Sequence, residues 1–324
     1  MKNNIFEWTV VGAGPAGIAS IGKLLDANIS PDKIIWVDPD FKVGDFATSW
    51  GHVMSNTPVE AFKKFYRHCK SFKYPDNSSF MVEKSIPSHN CQLMIAGQPL
   101  NWITEHLTQT VHVIKDLVTS LTPIKDFWQI KLDKSEIHYT KKIILAIGSE
   151  AQELSFSDLP TVTLKTALNL RKLRQEIAPS DYVAVFGSAQ SAKSVIENLS
   201  QVEVKKAILF YRSENSLKRH IGDPDIKHIE MLKMTPKNLL THVPNATKAI
   251  YAIGFNRRHI PIEGLPANYS YDKQTGEIAP GIFGIGIAFP ETMPYELGQI
   301  EYKVSAIWPF MKRLENILPI WLSA

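Results

Sequence analysis

The sequence predicts an α/β protein, on three observations. A strand, glycine turn and helix occur twice, at residues 9–20 and 182–192. Each copy is followed by a second apolar strand and later by a strand carrying Ala-x-Gly, at 142–149 and 249–255. Between 111 and 140, short segments alternate apolar and polar residues, as antiparallel strands do. Together these describe two Rossmann-like dinucleotide-binding domains, the second inserted in the first, with a small antiparallel β-meander. The expected boundaries are 1–158 for the first part of the first domain, with the meander at about 111–140, 159–248 for a shortened second domain, and 249–324 for the return to the first.

Composition agrees with a globular chain of about two domains: 324 residues, 44% hydrophobic and 21% charged. A net charge of +4 without a strong basic block argues against nucleic acid as a partner. The densest basic segment, Phe62 to Lys70, reads as a solvated lysine face over a stripe of Phe62, Phe65, Tyr66 and Cys69 rather than a membrane-surface helix. No apolar run reaches membrane-spanning length, and the first cradle begins too early for a secretory signal, so a cytoplasmic setting is expected. Cys69 and Cys91 are the only cysteines, too widely spaced for a redox pair or a zinc site, and no metal is expected.

In the first copy, apolar Phe6 to Val11 forms the strand. Gly12 permits a tight turn, Gly14 lets backbone approach a pyrophosphate, and Gly17 lets helix and strand pack closely. The helix opens at Pro15 and Ala16, its first N–H groups facing the phosphates. Asn28 marks its stop, and Ile34 to Val37 forms a buried parallel strand ending at Asp38 and Pro39. Asp38 lies about twenty residues beyond the glycines, where a carboxylate accepts the hydrogen bonds of a ribose diol.

A turn-rich loop then runs through Gly44-Asp45 to Trp50, followed by Ser55-Asn56-Thr57-Pro58. With the cradle before it, this loop resembles that of the flavin-containing monooxygenases and their two-dinucleotide-domain relatives of the pyridine nucleotide-disulphide oxidoreductase superfamily. The resemblance implies that the first cradle holds FAD, with Trp50, Asn56 and Thr57 passing beside the isoalloxazine. Asn56 would be the catalytic residue, offering a donor and an acceptor to the flavin edge. Its plainer reading is an Asn holding the turn before Pro58. Where the family has two adjacent glycines, this chain has Gly44-Asp45.

Residues 59–108 read as helices and loops, with Trp102, Ile103 and Leu107 on one apolar edge. The meander strands are expected at 111–114, 117–121, 127–132 and 136–139, with turns at Thr122-Pro123 and Asp133-Lys134. By the resemblance, Val118 touches the adenine through its backbone, and the strand ending at Ala146 and Gly148 turns beside the cofactor.

In the second copy, Gly187-Ser188-Ala189-Gln190-Ser191-Ala192 forms the turn, and the following strand ends at Arg212 where the first copy has Asp38. An arginine there favours a 2′-phosphate, so the second site suits NADPH as the first suits FAD. Lys218 and Arg219, in a loop, would add charge near the same 2′-phosphate, although two basic residues in a loop are usually only solvated. Ala189 stands where the close-approach glycine belongs, and its methyl would crowd the pyrophosphate unless the turn widens. Ala249 to Phe255, with Gly254, is expected to return the chain to the FAD domain, and 280–290 matches the family's closing strand. The resemblance implies that Gly286 and Ile287 there would present backbone N–H groups to FAD. A last helix is expected from about Leu297, with Ile300, Val304, Ile307 and Met311 inward and a kink at Pro309.

The resemblance implies an NADPH-dependent monooxygenase-like oxidoreductase acting on a small molecule with a soft nitrogen, sulfur or carbonyl centre. Two alternatives stand beside it. The absence of His from residues 159–181, where those enzymes often carry a Phe-x-Gly-x-x-x-His signature, favours a reductase or dehydrogenase without oxygen insertion. Ala189 and the short second domain favour a catalytically weak flavoprotein acting through a partner.

Overall fold

The computed structural model describes residues 5–134, 137–154, 159–222, 229–293, 302–304 and 306–324. They form a mixed α/β structure, with an eight-stranded sheet built on a parallel core and a four-stranded parallel sheet, in two compact units: 1–149 with 257–324, and 150–256.

In the first unit the chain runs β1 (Ile5–Val11), α1 (Pro15–Asp26), β2 (Ile34–Val37), α2 (Gly44–Thr48), β3 (Met54–Pro58) and α3 (Val59–Tyr66). It continues through α4 (Met81–Lys84), β4 (Asn90–Gln92), α5 (Leu93–Thr108), β5 (His112–Ile114), β6 (Val118–Ile124), β7 (Phe127–Leu132) and β8 (His138–Leu145). The central sheet has the order β5-β2-β1-β8, all parallel. Both faces are covered, so alternate residues feed opposite cores: Trp8, Val10 and Ile144 pack with α1, α5 and the C-terminal helix, while Val11, Ile143 and Leu145 pack with β6 and β7.

Three strands differ from expectation. Residues 112–114 are a parallel edge strand beside β2 and lie outside the meander. Thr122 and Pro123 lie within β6; the turn falls at Lys125, whose φ is +53°, and Asp126. The segments expected as separate strands at 136–139 and 142–149 merge over His138–Leu145 into one strand, β8, antiparallel to β7 in its first half and parallel to β1; 146–148 lie outside any strand and Ser149 opens the next one. Glu136 lies outside the described residues. Asn56 sits within β3, paired with β4, and so does not hold a turn.

The chain crosses into the second unit along β9 (Ser149–Ala151) and continues through α6 (Leu164–Ala167), α7 (Leu170–Glu176), β10 (Tyr182–Phe186), α8 (Gln190–Leu199) and β11 (Lys206–Tyr211). Then come α9 (Glu214–His220), β12 (Ile229–Lys233), α10 (Pro236–His242), β13 (Lys248–Tyr251) and the return strand β14 (Phe255–Arg257), which pairs with β9. Its parallel sheet has the order β12-β11-β10-β13, which repeats β5-β2-β1-β8 strand for strand. Rings of Phe210, Phe186 and Tyr251 stack across three of these strands with centroids 5.2 Å apart. Two expectations are corrected. Residues 249–251 complete the second sheet instead of rejoining the first unit, and β12 and α10 occupy the stretch that looked too short to hold them.

The first unit resumes with β15 (Glu277–Ala279) and β16 (Ile282–Gly284), the latter parallel to β8, and ends with α11 (Ile307–Ser323). Val304 lies in a short strand, Tyr302–Val304, ahead of that helix; Leu297 and Ile300 lie outside the described residues. Ile307 and Met311 are buried as expected. Pro309 falls in the helix's first turn, where its missing N–H removes no helical bond, so it makes no kink there; the proline deep in the helix is Pro319. No helix among the described residues is long and apolar enough to cross a membrane.

Candidate functional site

At the end of β1 the chain turns sharply. Gly12 donates its N–H to Val37 O at 2.8 Å, and Ala146 donates to Val11 O at 2.9 Å, so the turn is clamped by both neighbouring strands. Gly12 has φ +104°, and a Cβ there would lie 2.4 Å from Ala146 O. A Cβ on Gly17 would lie 1.9 Å from Gly12 O. Both positions must therefore be glycine for the helix to seat on the strand. Gly14 is different: it is extended (φ −75°, ψ 180°), and the nearest atom a Cβ would meet is Val43 O at 4.0 Å. It is the N-cap of α1 and has no side chain to cap it, so no capping side chain takes up the first-turn N–H groups beyond Pro15.

Asp38 is buried beneath this turn. Its Oδ2 accepts the Ala13 N–H at 2.7 Å, and its Oδ1 accepts those of Asp40 and Phe41 at 2.9 and 2.7 Å. The carboxylate expected to hold a ribose thus also fixes the backbone that frames the cradle, leaving lone pairs for a further donor. Pro39 beside it is exposed.

Two more segments wall the cradle. Val43 and Gly44, at φ +60° and +55°, bring the α2 loop against Gly14, and a Cβ on Gly44 would lie 3.5 Å from Gly14 Cα. A buried β-branched residue in the left-handed region is strained, and such strain concentrates at binding loops. On the other side Gly286, at φ +82°, presses on Ala16, where a Cβ would meet Ala16 Cβ at 2.6 Å; Ile287 is exposed. Gly148 has φ +70° and lies beside Arg258, whose guanidinium bonds Asp45. No motif marks Arg258, because its partner is 213 positions away. Trp50 is half-buried, Thr57 and Val118 are buried, and Asn56 is exposed on β3 with its Oδ1 accepting from Thr57 Oγ1 at 3.3 Å. Trp50 ties back to the α2 loop, its backbone N–H donating to Asp45 O at 2.9 Å.

The second turn repeats the first. Gly187 donates to Phe210 O at 2.9 Å and Ala252 donates to Phe186 O at 2.7 Å. Gly187 has φ +140°, and a Cβ there would lie 2.2 Å from Ala252 O and 3.3 Å from Ala192 Cβ. Ala189 is the N-cap of α8 at φ −109°, ψ −169°, exposed beside exposed Gln190 and half-buried Ser191. The turn does not stand alone: Ser216, on α9, donates its hydroxyl to Ser188 O at 3.0 Å. Arg212 is exposed just past β11, and Lys218 and Arg219 belong to α9 rather than to a loop. Gly254, φ +114°, leads into the crossover and accepts the Gln152 N–H at 2.9 Å.

No family model matches the chain. It is 25% identical to monooxygenase AgnR1 of Paecilomyces divaricatus, the alignment covering 97% of each chain. Among solved structures it superposes on the bacillithiol disulfide reductase YpdA of Staphylococcus aureus with TM-score 0.67 and 13% identity, covering 99% of both chains. It superposes equally, with TM-score 0.67 and 9% identity over 99% of this chain and 95% of the other, on DfoA of Erwinia amylovora, a cadaverine monooxygenase bound to FAD. The chain has the fold of the two-dinucleotide-domain flavoproteins, and its similarity extends to oxidoreductases of both monooxygenase and reductase type.

Proposed function

We propose that the chain is an FAD-dependent oxidoreductase that takes hydride from NADPH and acts, as a monooxygenase, on a small substrate with a soft nucleophilic or carbonyl centre. The observation that carries the reading is Gly14. Folding demands glycine at 12 and 17, whereas at 14 the protein itself leaves a Cβ unopposed, so glycine there serves something that is not protein. A pyrophosphate lying against the N-terminus of α1 fits that space and its charge preference.

FAD, when bound, would supply hydride acceptance and reaction with oxygen. The chain's own residues do the rest. The first-turn N–H groups of α1 hold the phosphates, Asp38 fixes the Ala13 amide and keeps acceptor capacity for a ribose hydroxyl, and the Gly286 turn closes against Ala16. In the second unit Arg212, Lys218 and Arg219 supply positive charge for a 2′-phosphate. Disulfide exchange is disfavoured: Cys69 and Cys91 are both buried, and burial pushes both thiols up, away from the reactive thiolate.

The test is direct. Purified protein should carry FAD, and anaerobic NADPH should bleach its visible absorbance. Protein that holds no flavin even after soaking with FAD would end the reading. The second reading, a reductase without oxygen insertion, rests on the lack of His in residues 159–181. It predicts NADPH-driven oxygen consumption with no oxygen atom transferred to amine, sulfide or ketone probes.

A further inference from the structure

Arg258 joins two segments that flank the first cradle and lie about a hundred positions apart in the sequence. Ala146, clamped to β1 by its bond to Val11 O at 2.9 Å, leads to Gly148, whose carbonyl accepts the Arg258 N–H at 3.2 Å. The Arg258 guanidinium reaches Asp45 Oδ2 on α2, and the preceding residue, Gly44, lies against Gly14. The contacts therefore close a circuit that runs from the end of β1 through Gly148, Arg258, Asp45 and Gly44 back to the glycine turn. The guanidinium–carboxylate join is the part of it open to solvent, with side chains 44% and 30% exposed.

The α2 wall needs such a tie. Val43 and Gly44 sit at φ +60° and +55°, and a left-handed valine relaxes wherever its neighbours permit. Upstream, Asp38 Oδ1 holds the amides of Asp40 and Phe41. Downstream, Asp45 is engaged at both carboxylate oxygens, Oδ1 by the Ser49 hydroxyl at 2.6 Å and Oδ2 by Arg258. Ser49 belongs to the same loop and moves with it, so Arg258 is what fixes Asp45 to the opposite wall. Ala47 packs close over Gly97 of α5, where an added Cβ would meet the Ala47 methyl at 3.1 Å. That packing keeps α2 folded when the ion pair opens, and the corner at Val43 to Asp45 is released. We propose that Arg258 is a positioning residue for the first cradle: acting through Asp45, it holds the α2 wall against Gly14 and slows release of the bound dinucleotide, by a tie that salt loosens. The identity of that ligand as FAD rests on the proposed function, whereas the tie itself is a property of this chain's own contacts.

The experiment follows the fluorescence of flavin released on dilution of the purified holoprotein, at about 0.02 and about 0.5 M sodium chloride. It compares wild type with Arg258→Gln, Asp45→Asn and the double variant. Each single variant should release FAD about two- to fivefold faster at low salt, the factor an exposed ion pair is worth. The double variant should be no faster than either, and all three should be accelerated less by salt than wild type is. Arg258→Lys, which keeps the charge, should fall between wild type and Arg258→Gln. Asp45→Asn separates this role from a direct pull of Arg258 on the phosphates. Removing a negative charge beside an anionic ligand slows release if Arg258 acts directly, and speeds it if Arg258 acts through Asp45. In flavin-free protein, amide hydrogen exchange over residues 44–50 should quicken by the same factor in both single variants, while α1 exchanges as in wild type. Slower release from Asp45→Asn, additive effects in the double variant, or unchanged exchange over 44–50 overturns the inference. Protein that takes up no FAD yet shows the quickened exchange supports the tie on the α2 wall and ends the flavoenzyme reading.

Discussion

Gly12, Gly14 and Gly17 belong to one motif and answer to two different demands. A methyl at 17 would sit 1.9 Å from Gly12 O, in rigid backbone that has no side chain to swing aside. Gly17→Ala should therefore destabilise flavin-free protein by about 3 kcal/mol, the upper range of overpacking costs, read as a lowered urea midpoint. Gly14→Ala should leave that midpoint nearly unchanged and abolish retention of FAD. If both variants lose stability alike, Gly14 is a folding residue and the argument from it fails. The motif's spacing is legible in the sequence, but which glycine serves the fold and which the ligand is not. That distinction depends on Ala146 and Val43, more than a hundred and about thirty positions away. Asp38 shows the same limit: its position was readable, whereas its bonds to Ala13, Asp40 and Phe41 required the turn to be built.

Among elements, α11 is held by polar contacts whose partners are far apart in the chain. Glu315 Oε1 meets His68 Nε2 at 2.6 Å and Lys23 Nζ at 3.1 Å, and Oε2 meets Lys312 Nζ at 3.0 Å. Burial pushes the Glu315 carboxyl up, but hydrogen bonds from Lys312, Lys23 and His68 outweigh it and hold the group at about 2. A depressed carboxyl stabilises the fold above its unfolded value of 4.5, and that contribution is lost as pH falls toward 2. Stability should decline through this window, and Glu315→Gln should flatten the decline; a variant with an unaltered acid limb would refute the assignment. At the other end of the helix, Lys142 Nζ donates to Trp321 O and Leu322 O at 2.8 and 3.0 Å, satisfying terminal carbonyls. Lys142→Met should cost about 1–2 kcal/mol, seen in chemical denaturation.

The elements that escaped sequence reading share a cause. Strand β12 is an edge strand of mixed exposure, so its residues lack the continuous apolar run that marked β10 and β11. Strand β8 changes partner type midway, so its pattern shifts where no turn exists. Strands buried on both faces were legible; those whose character depends on one neighbour were not.

At the scale of the whole molecule, the two units have separate cores. The second is built on Ala184, Phe186, Ile208, Phe210, Ala249 and Tyr251, which are at most 2% exposed. Burying its Phe and Ile side chains is worth roughly 1.5–3 kcal/mol each. The chain leaves and re-enters the first unit along strands that pair with each other, β9 and β14, so the ends of the insert are neighbours. Sequence periodicity found the repeat but set the return at 249, because Ala249 to Gly254 resembles the strand at Ala146. The resemblance is real: both are the strand on the far side of a first β-strand, each in its own sheet. An insert with adjacent ends and its own core can be removed without opening the host. Joining Ser149 to Arg257 through a short Gly-Ser linker should therefore give a protein that unfolds cooperatively and retains FAD, while residues 150–256 expressed alone should fold and bind NADPH weakly. Circular dichroism with urea titration, and flavin absorbance after gel filtration, read both halves of the prediction. A host that loses its cooperative transition on excision would show that the two cores are energetically one.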